Sequence, residues 1–445
     1  MPYNARGSGN PVNRRGPFLI VGACGFLGSE IYLQLVSKLA DKRQRGTPRI
    51  LALVRSVAAE DINPRLMQFH DRCPVEFLQS AGDVVTLREL EGWRQDRCNG
   101  YIAGIFHVAG MAVPSNDAVD VEQMQRSNVD LSSAVFTFAA KYNIRCVYSS
   151  CSGVVGCQFL EDGRTLAAHD DSKLCEASIA PFPFLVQKAH IEERWQQEAL
   201  KGRAPIVFLR PSTLFGPGDE RLSSTMVLYD AMRGAFKTRS PGGISFVDVR
   251  DCARAFVAVL LNDGIEGGTA MNLTACNMPF DDFAALVEVT LRVKGPRFGL
   301  PPAVELAVAR MKSRVRRMLR MPANYASTPC AVMLRQRFWN VTCQRAKELV
   351  DWDPMELEET ILDTSRFIYT TFMAVDPRAD RDDLLQRRHC AMAASARDGR
   401  RGHWRLPGEA AQGRRLDGYV MVLVGLVVML LLLVARDHFA VTGGT

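Results

Sequence analysis

Twelve cysteines are scattered through the 445 residues without a single Cys-x-x-Cys pair. A chain of this length does not need disulfide staples, so they read as reduced thiols of a cytosol-facing domain, and no metal-ligating pattern is read among them. Charge of one sign is also lacking. The balance of 55 basic against 48 acidic residues leaves a net charge of +7, too weak to imply a nucleic-acid partner. No internal repeat is visible. No signal peptide is read near the start, because the apolar stretch after Pro17 is broken by Gly22, Gly25 and Gly28 and lacks a processing site. With 47% apolar and 23% charged residues, a wholly disordered, collagen-like or multi-span membrane chain is excluded. What remains is two or three average domains, or one large α/β domain with appendages.

The ends differ from the middle. Residues 1–16 are rich in Gly, Pro, Asn and Arg and read as a mobile basic arm. Residues 419–435 (YVMVLVGLVVMLLLLVA) are 17 uncharged, almost wholly apolar residues. As a helix they would reach about 25 Å, slightly under a bilayer core of about 30 Å. A buried core helix normally keeps a polar face and this segment has none, so it reads as a single membrane span. Its place near the C-terminus implies a tail anchor followed by a short tail, 436–445, with the bulk of the protein cytosolic. The short span favours the endoplasmic reticulum over the mitochondrial outer membrane. Residues 376–417 form a linker with ten arginines from Arg378 to Arg415. It reads first as a tether and second as a basic strip attracted to anionic lipid.

Between these ends, short β-rich runs recur at Phe18–Val21, Ile50–Val54, Val75–Leu78, Gly104–Val108, Cys146–Ser149 and Ile206–Leu209, separated by helical patterns. Leu27, Ile31, Leu35 and Leu39 fall four apart, on one helix face. Alternating strands and helices predict an α/β fold with a doubly wound parallel sheet covered on both faces.

The turn after the first run is Gly22-Ala-Cys-Gly25-Phe-Leu-Gly28. Glycines there allow a tight turn and close backbone approach to a pyrophosphate, and the helix that follows offers free N–H groups and the positive end of its dipole. At the end of the second run, a cofactor with a free ribose 2′-hydroxyl usually meets an acidic residue. This chain has Arg55, which suits a 2′-phosphate and favours NADP, with NAD as the alternative; a solvent-facing arginine is the plain reading. Asp83, before Val84, is placed to accept from an adenine amino group, or simply caps a turn.

These residues belong to a longer ordered series: Gly82-Asp83-Val84, Phe106-His107-Val108-Ala109-Gly110, Ser127-Asn128-Val129, Val147-Tyr148-Ser149-Ser150 with Gly156, Arg210-Pro211-Ser212, Phe246-Val247-Asp248-Val249 and Trp352-Asp353-Pro354. On them the chain resembles, from Pro17 to about Tyr369, the extended short-chain dehydrogenase/reductase family, part of the NAD-dependent epimerase/dehydratase superfamily. It looks most like the branch of 3β-hydroxysteroid and sterol-4α-carboxylate 3-dehydrogenases. The resemblance implies a Rossmann-type domain over 17–375, its cofactor part mainly 17–210 and 244–274 and a small substrate lobe mainly 211–243 and 275–340. It also implies cofactor contacts from Gly22, Gly25, Phe26, Leu27, Gly28, Asp83, Val84, Ala109, Lys188 and Pro211, a lipophilic sterol-like alcohol or ketone as substrate, and a homodimer.

The family's chemistry rests on a serine, a tyrosine four residues before a lysine, and the nicotinamide. The tyrosine exchanges a proton with the substrate oxygen, the lysine lowers the tyrosine pKa and holds the nicotinamide ribose, and the serine orients the substrate oxygen. Matching the segments puts Cys151 at the serine position and Phe184 at the tyrosine position, with Lys188 retained. No tyrosine lies between Tyr148 and Tyr229, so a small shift does not restore it. A thiol is a weak donor and a phenyl ring has no proton to give. The expectation is an altered catalyst or a non-catalytic dinucleotide-binding relative. His169, Asp170, Asp171 and His190 are the nearby candidate acids, with His190 on a different helix face from Lys188.

Within the lobe, Leu300–Met321 reads as a helix. Val304, Val308, Met311, Val315 and Met318 form one apolar stripe, and Arg310, Arg314, Arg317 and Arg320 another face. Either the stripe packs on the lobe or the helix lies on a membrane surface. Asn272-Leu-Thr274 and Asn340-Val-Thr342 are glycosylation sequons that a cytosolic domain would leave unused.

Overall fold

In the computed structural model, residues 17–39, 49–58, 61–68, 73–82, 84–159, 165–174, 176–236, 238–319 and 325–373 are described. The arm 1–16, Asp83, Arg320, the linker 376–417, the span 419–435 and the tail 436–445 lie outside them. Among the described residues, no helix is long and apolar enough to cross a membrane.

Seven strands form one sheet. In spatial order they are Ala270–Leu273, Ile206–Pro211, Cys146–Ser149, Gly104–His107, Phe18–Val21, Ile50–Val54 and Val75–Gln79. Every neighbouring pair is parallel. The first strand pairs with both the second and the fourth in sequence, so the winding direction reverses beside it. That reversal opens a crevice at the carboxyl ends of the strands, where ligands bind in such sheets.

Continuous apolar runs produced these strands because both faces are covered. On one face the Phe26–Leu39 and Val249–Leu261 helices bury Ile31, Leu35, Phe256 and Leu260 against Ile20 and Ala52. On the other, the Leu131–Lys141 and Pro183–Leu200 helices pack Phe136, Phe138, Ile191 and Trp195 against Leu19, Ile105 and Phe208. Strand bounds differ from the sequence reading by one or two residues: the third runs to Gln79, the fourth stops at His107, and the sixth continues to Pro211.

The lobe has its own core of Phe215, Phe246, Phe283, Ile361 and Phe372. A three-stranded sheet holds it, ordered Cys276–Pro279, Gly243–Asp248, Thr213–Phe215. The Gly243–Asp248 strand, which the resemblance counts mainly with the cofactor part, pairs with lobe strands.

The lobe helix spans Pro302–Met318, and its apolar stripe is at most partly buried. Its buried positions are Glu305 and Ala309. Glu305 accepts from Arg335 Nη2 and Gln336 Nε2, both at 2.8 Å, from the neighbouring Pro329–Arg335 helix and the residue after it. Charge pairing, with a small alanine beside it, selects the packed face. Asn272 is fully buried and its Nδ2 donates to the Thr342 carbonyl at 2.9 Å, so the folded domain does not present that sequon. The ten cysteines among the described residues are free thiols.

Candidate functional site

The crevice contains a pocket of about 800 Å³, within the range of about 300–1,000 Å³ typical of cofactor and ligand sites. Cys24, Gly25, Phe26, Leu27 and Gly28 form one wall. Gly22 turns the chain at φ +94°, and a Cβ there would stand 2.7 Å from the Ala109 nitrogen. A Cβ on Gly28 would lie 2.1 Å from the Gly22 carbonyl oxygen. Both glycines are therefore required by packing. Gly25 is different: it is exposed to the pocket, and a Cβ there would meet only the Gly22 oxygen, at 3.2 Å. Its bare backbone lets an anionic group approach the start of the Phe26–Leu39 helix. A pyrophosphate fits this cradle.

Ser149, Ser150, Cys151, Phe184 and Lys188 line the other end. The Pro183–Leu200 helix begins with proline at its first position, where a missing N–H costs nothing, and sets Phe184, Lys188 and Glu192 one turn apart on one face. Thus the structure brings together the three positions that sequence matching assigned to the reaction. Phe184 is 7% exposed and Lys188 8%. The Cys151 Sγ accepts from the Gly153 N–H at 3.4 Å. Burial pushes the Cys151 thiol up, with the Gly153 N–H and Lys188 pulling it back.

Lys188 Nζ donates to the Ser149 carbonyl at 2.7 Å and lies 5.0 Å from the centre of the Tyr148 ring. Burial pushes its pKa down to about 8, with Cys151 and Glu192 acting the other way. Behind it, Glu192 is fully buried and accepts from Ser150 Oγ and from Arg210 Nε, the latter at 2.7 Å. Arg210 also donates to the Asp170 carbonyl at 2.9 Å. His107, fully buried beside Ser132, is pushed down to about 3 by burial and by Lys188, so it is neutral at physiological pH.

The candidate substitute acids are engaged elsewhere. His190 is exposed on another helix face, as its spacing required. His169 is exposed and its Nδ1 lies 3.1 Å from Thr342 Oγ1. Asp170 accepts from the Asn272 and Arg345 backbone N–H groups, and Asp171 pairs with Arg345 at 2.6 Å. None of the four lines the pocket.

Arg55 stands exposed just beyond the second strand, Val84 lies partly buried beyond the third, and Ala109 backs Gly22; Pro211 lines the pocket. Sequence reading gave no role to two features. Asn128 lies in a wide helical turn, Gln125–Asp130, and its amide clamps Met111 from both sides: Oδ1 accepts from Met111 N at 2.7 Å and Nδ2 donates to Met111 O at 2.9 Å. A Cβ on Gly110 would meet both Asn128 and Lys188, so Asn128 helps fix the strand end beside the lysine. The second is the Gly218–Ser224 loop over the glycine turn, with Asp219 accepting from the Ser224 and Thr225 N–H groups. It brings Arg221 to the pocket near Cys24; an arginine beside Gly216-Pro217-Gly218 was the available signal.

Fold and site together define an α/β protein built around a dinucleotide-type crevice. The chain belongs to the NAD dependent epimerase/dehydratase family, whose model matches residues 18–274. The family is NAD(P)-dependent. Similar solved structures include gox2253, at 19% identity with a TM-score of 0.60, covering 79% of this chain and 98% of that one. UDP-glucose 4-epimerase of Thermotoga maritima, solved with UDP-glucose, shares 15% identity and a TM-score of 0.56, covering 80% and 99%. A tyrosine-to-phenylalanine variant of Bacillus cereus UDP-glucuronic acid 4-epimerase, in complex with a fluorinated UDP-sugar and NAD, shares 17% identity and a TM-score of 0.58, covering 79% and 99%. These likenesses show the fold. Among curated proteins, none matches this chain.

Proposed function

We propose that this chain is an NADP-binding, membrane-anchored oxidoreductase-type protein for a lipophilic, sterol-like alcohol or ketone, with an altered proton-transfer apparatus. The observation that carries this is the pocket wall. Phe184 occupies the position one turn ahead of Lys188, inside the same cavity as the glycine turn. The cofactor end keeps the features a pyrophosphate and ribose need, while the reacting end has lost its phenol.

A bound nicotinamide would supply or accept hydride. The glycine turn receives the pyrophosphate through backbone N–H groups, and Arg55 suits a 2′-phosphate. Lys188 donates to ribose hydroxyls through its remaining N–H groups. With its pKa near 8, it also carries a more acidic proton than an ordinary lysine. Phe184 and the Cys151 thiol supply a surface for an apolar substrate and little for its oxygen. Anchoring by residues 419–435 at the endoplasmic reticulum would bring the pocket near a lipophilic substrate.

A second reading, a non-catalytic NADP(H)-binding or scaffold protein at the membrane, is favoured by the paired change at Cys151 and Phe184. Titrating NADPH by fluorescence, then following the nicotinamide absorbance with keto- and hydroxysteroids, separates the two. Steroid turnover supports the oxidoreductase. Binding without turnover supports the second reading. Absence of dinucleotide binding contradicts both, and turnover of UDP-glucose instead contradicts the substrate class.

A further inference from the structure

The Pro302–Met318 helix carries an apolar stripe that the described fold covers only in part. Met318 is 83% exposed and Val304 40%, while Val308, Met311 and Val315 are only partly buried. None of them belongs to the four hydrophobic clusters of the described residues. Leu319, 52% exposed, follows directly after the helix. Successive helical residues turn by about 100°, which places the stripe roughly 120° round from Glu305 and Ala309, the positions that meet the lobe. On the outer flank of the stripe stand Arg310, Arg314 and Arg317, all exposed. Glu305 is the helix's one acidic residue, and it is buried against Arg335. Basic residues near a helix C-terminus are favoured by the dipole in any helix, but that leaves the apolar stripe unexplained.

We propose that this helix docks on the surface of an anionic bilayer. The stripe enters the boundary between headgroups and acyl chains, and Arg310 and Arg314 meet the lipid phosphates and carboxylates. An exposed apolar face bordered by cations has the chemistry of an interfacial helix. Chain length gives a reason for a second contact. From the end of the described residues at 373 to residue 419 the chain could extend on the order of 150 Å, so the span by itself does not orient the domain. This helix does. Arg317 pairs with Asp117 at 2.7 Å, and the segment leading to Asp117 begins at Gly110 and Ala112 in the pocket wall. Docking therefore holds a segment continuous with the pocket wall close to the bilayer. The inference goes beyond the proposed activity and does not depend on turnover.

The full chain, mixed with phosphatidylcholine vesicles containing about 30% of a photo-crosslinkable phosphatidylserine, is irradiated and its lipid adducts are mapped by mass spectrometry. The expected result is adducts on residues 304–319 that fall at least about fivefold in Val315→Glu/Met318→Glu and in Arg310→Gln/Arg314→Gln, both melting like the wild type. Adducts on 419–435 report the anchor separately and should persist in both variants. Labelling of 304–319 no greater than that of the partly exposed Leu87–Cys98 helix overturns the proposal. So does cross-linking of this stripe to a second copy of the chain in place of lipid.

Discussion

Phe184 and Lys188 lie one helical turn apart on the same face of the Pro183–Leu200 helix, and both border the pocket that the glycine turn closes at its other end. The lysine is held by the Ser149 carbonyl at 2.7 Å, and that anchor needs no phenol beside it. On the proposed reading, ribose binding and proton transfer, coupled where a tyrosine occupies the first position, are separable here.

If Lys188 survives for binding, Lys188→Met should weaken NADPH at least about tenfold. The same change should not destabilise the fold at neutral pH. The buried ammonium titrates near 8 against about 10.5 in the unfolded chain, so below pH 8 the folded state bears the full cost of burying the charge. That cost is relieved as pH rises from 8 to 10.5. Thermal melts should show Lys188→Met about 2 kcal/mol more stable at pH 7, after discounting the lost Ser149 hydrogen bond, with the gap closing by pH 10.5.

The proposed preference for NADP rests on Arg55. Arg55→Ala should weaken NADPH about tenfold more than NADH, measured by fluorescence titration. Equal losses would remove the phosphate role.

The buried pair beneath the lysine makes a stability prediction. Arg210 and Glu192 are 3% and 0% exposed, so Arg210→Met leaves a carboxylate unpaired in the core. Denaturant unfolding should show a loss of about 3–5 kcal/mol, most of it recovered in Arg210→Met/Glu192→Leu.

Much of this was legible in sequence, and the reasons differ by element. The Phe18–Val21 and Ile50–Val54 strands read correctly because strands buried on both faces are continuous apolar runs. The pairing of Phe184 with Lys188 was legible through the resemblance, whose tyrosine and lysine positions they match, and a four-residue step in a helix gives them a shared face. Contacts between distant segments were not. The clamp of Asn128 on Met111 crosses 17 residues through a wide turn that no periodicity marks. The packed face of the Pro302–Met318 helix was set by Glu305 meeting Arg335, 30 residues away, and apolar spacing left both readings of the stripe open. The Gly243–Asp248 strand has the composition of a core strand, and only its partners place it in the lobe.

The central claim is that the pocket keeps its dinucleotide grip while the proton-donating phenol is gone. It is tested most directly by comparing the wild type with Phe184→Tyr/Cys151→Ser, for NADPH affinity and for steroid turnover, on the same preparations. NADPH affinity should agree within about threefold, since the grip lies in the glycine turn and Lys188, while turnover should rise about 10²–10⁴-fold in the double variant. A wild type that already turns over as fast as the double variant would contradict the account.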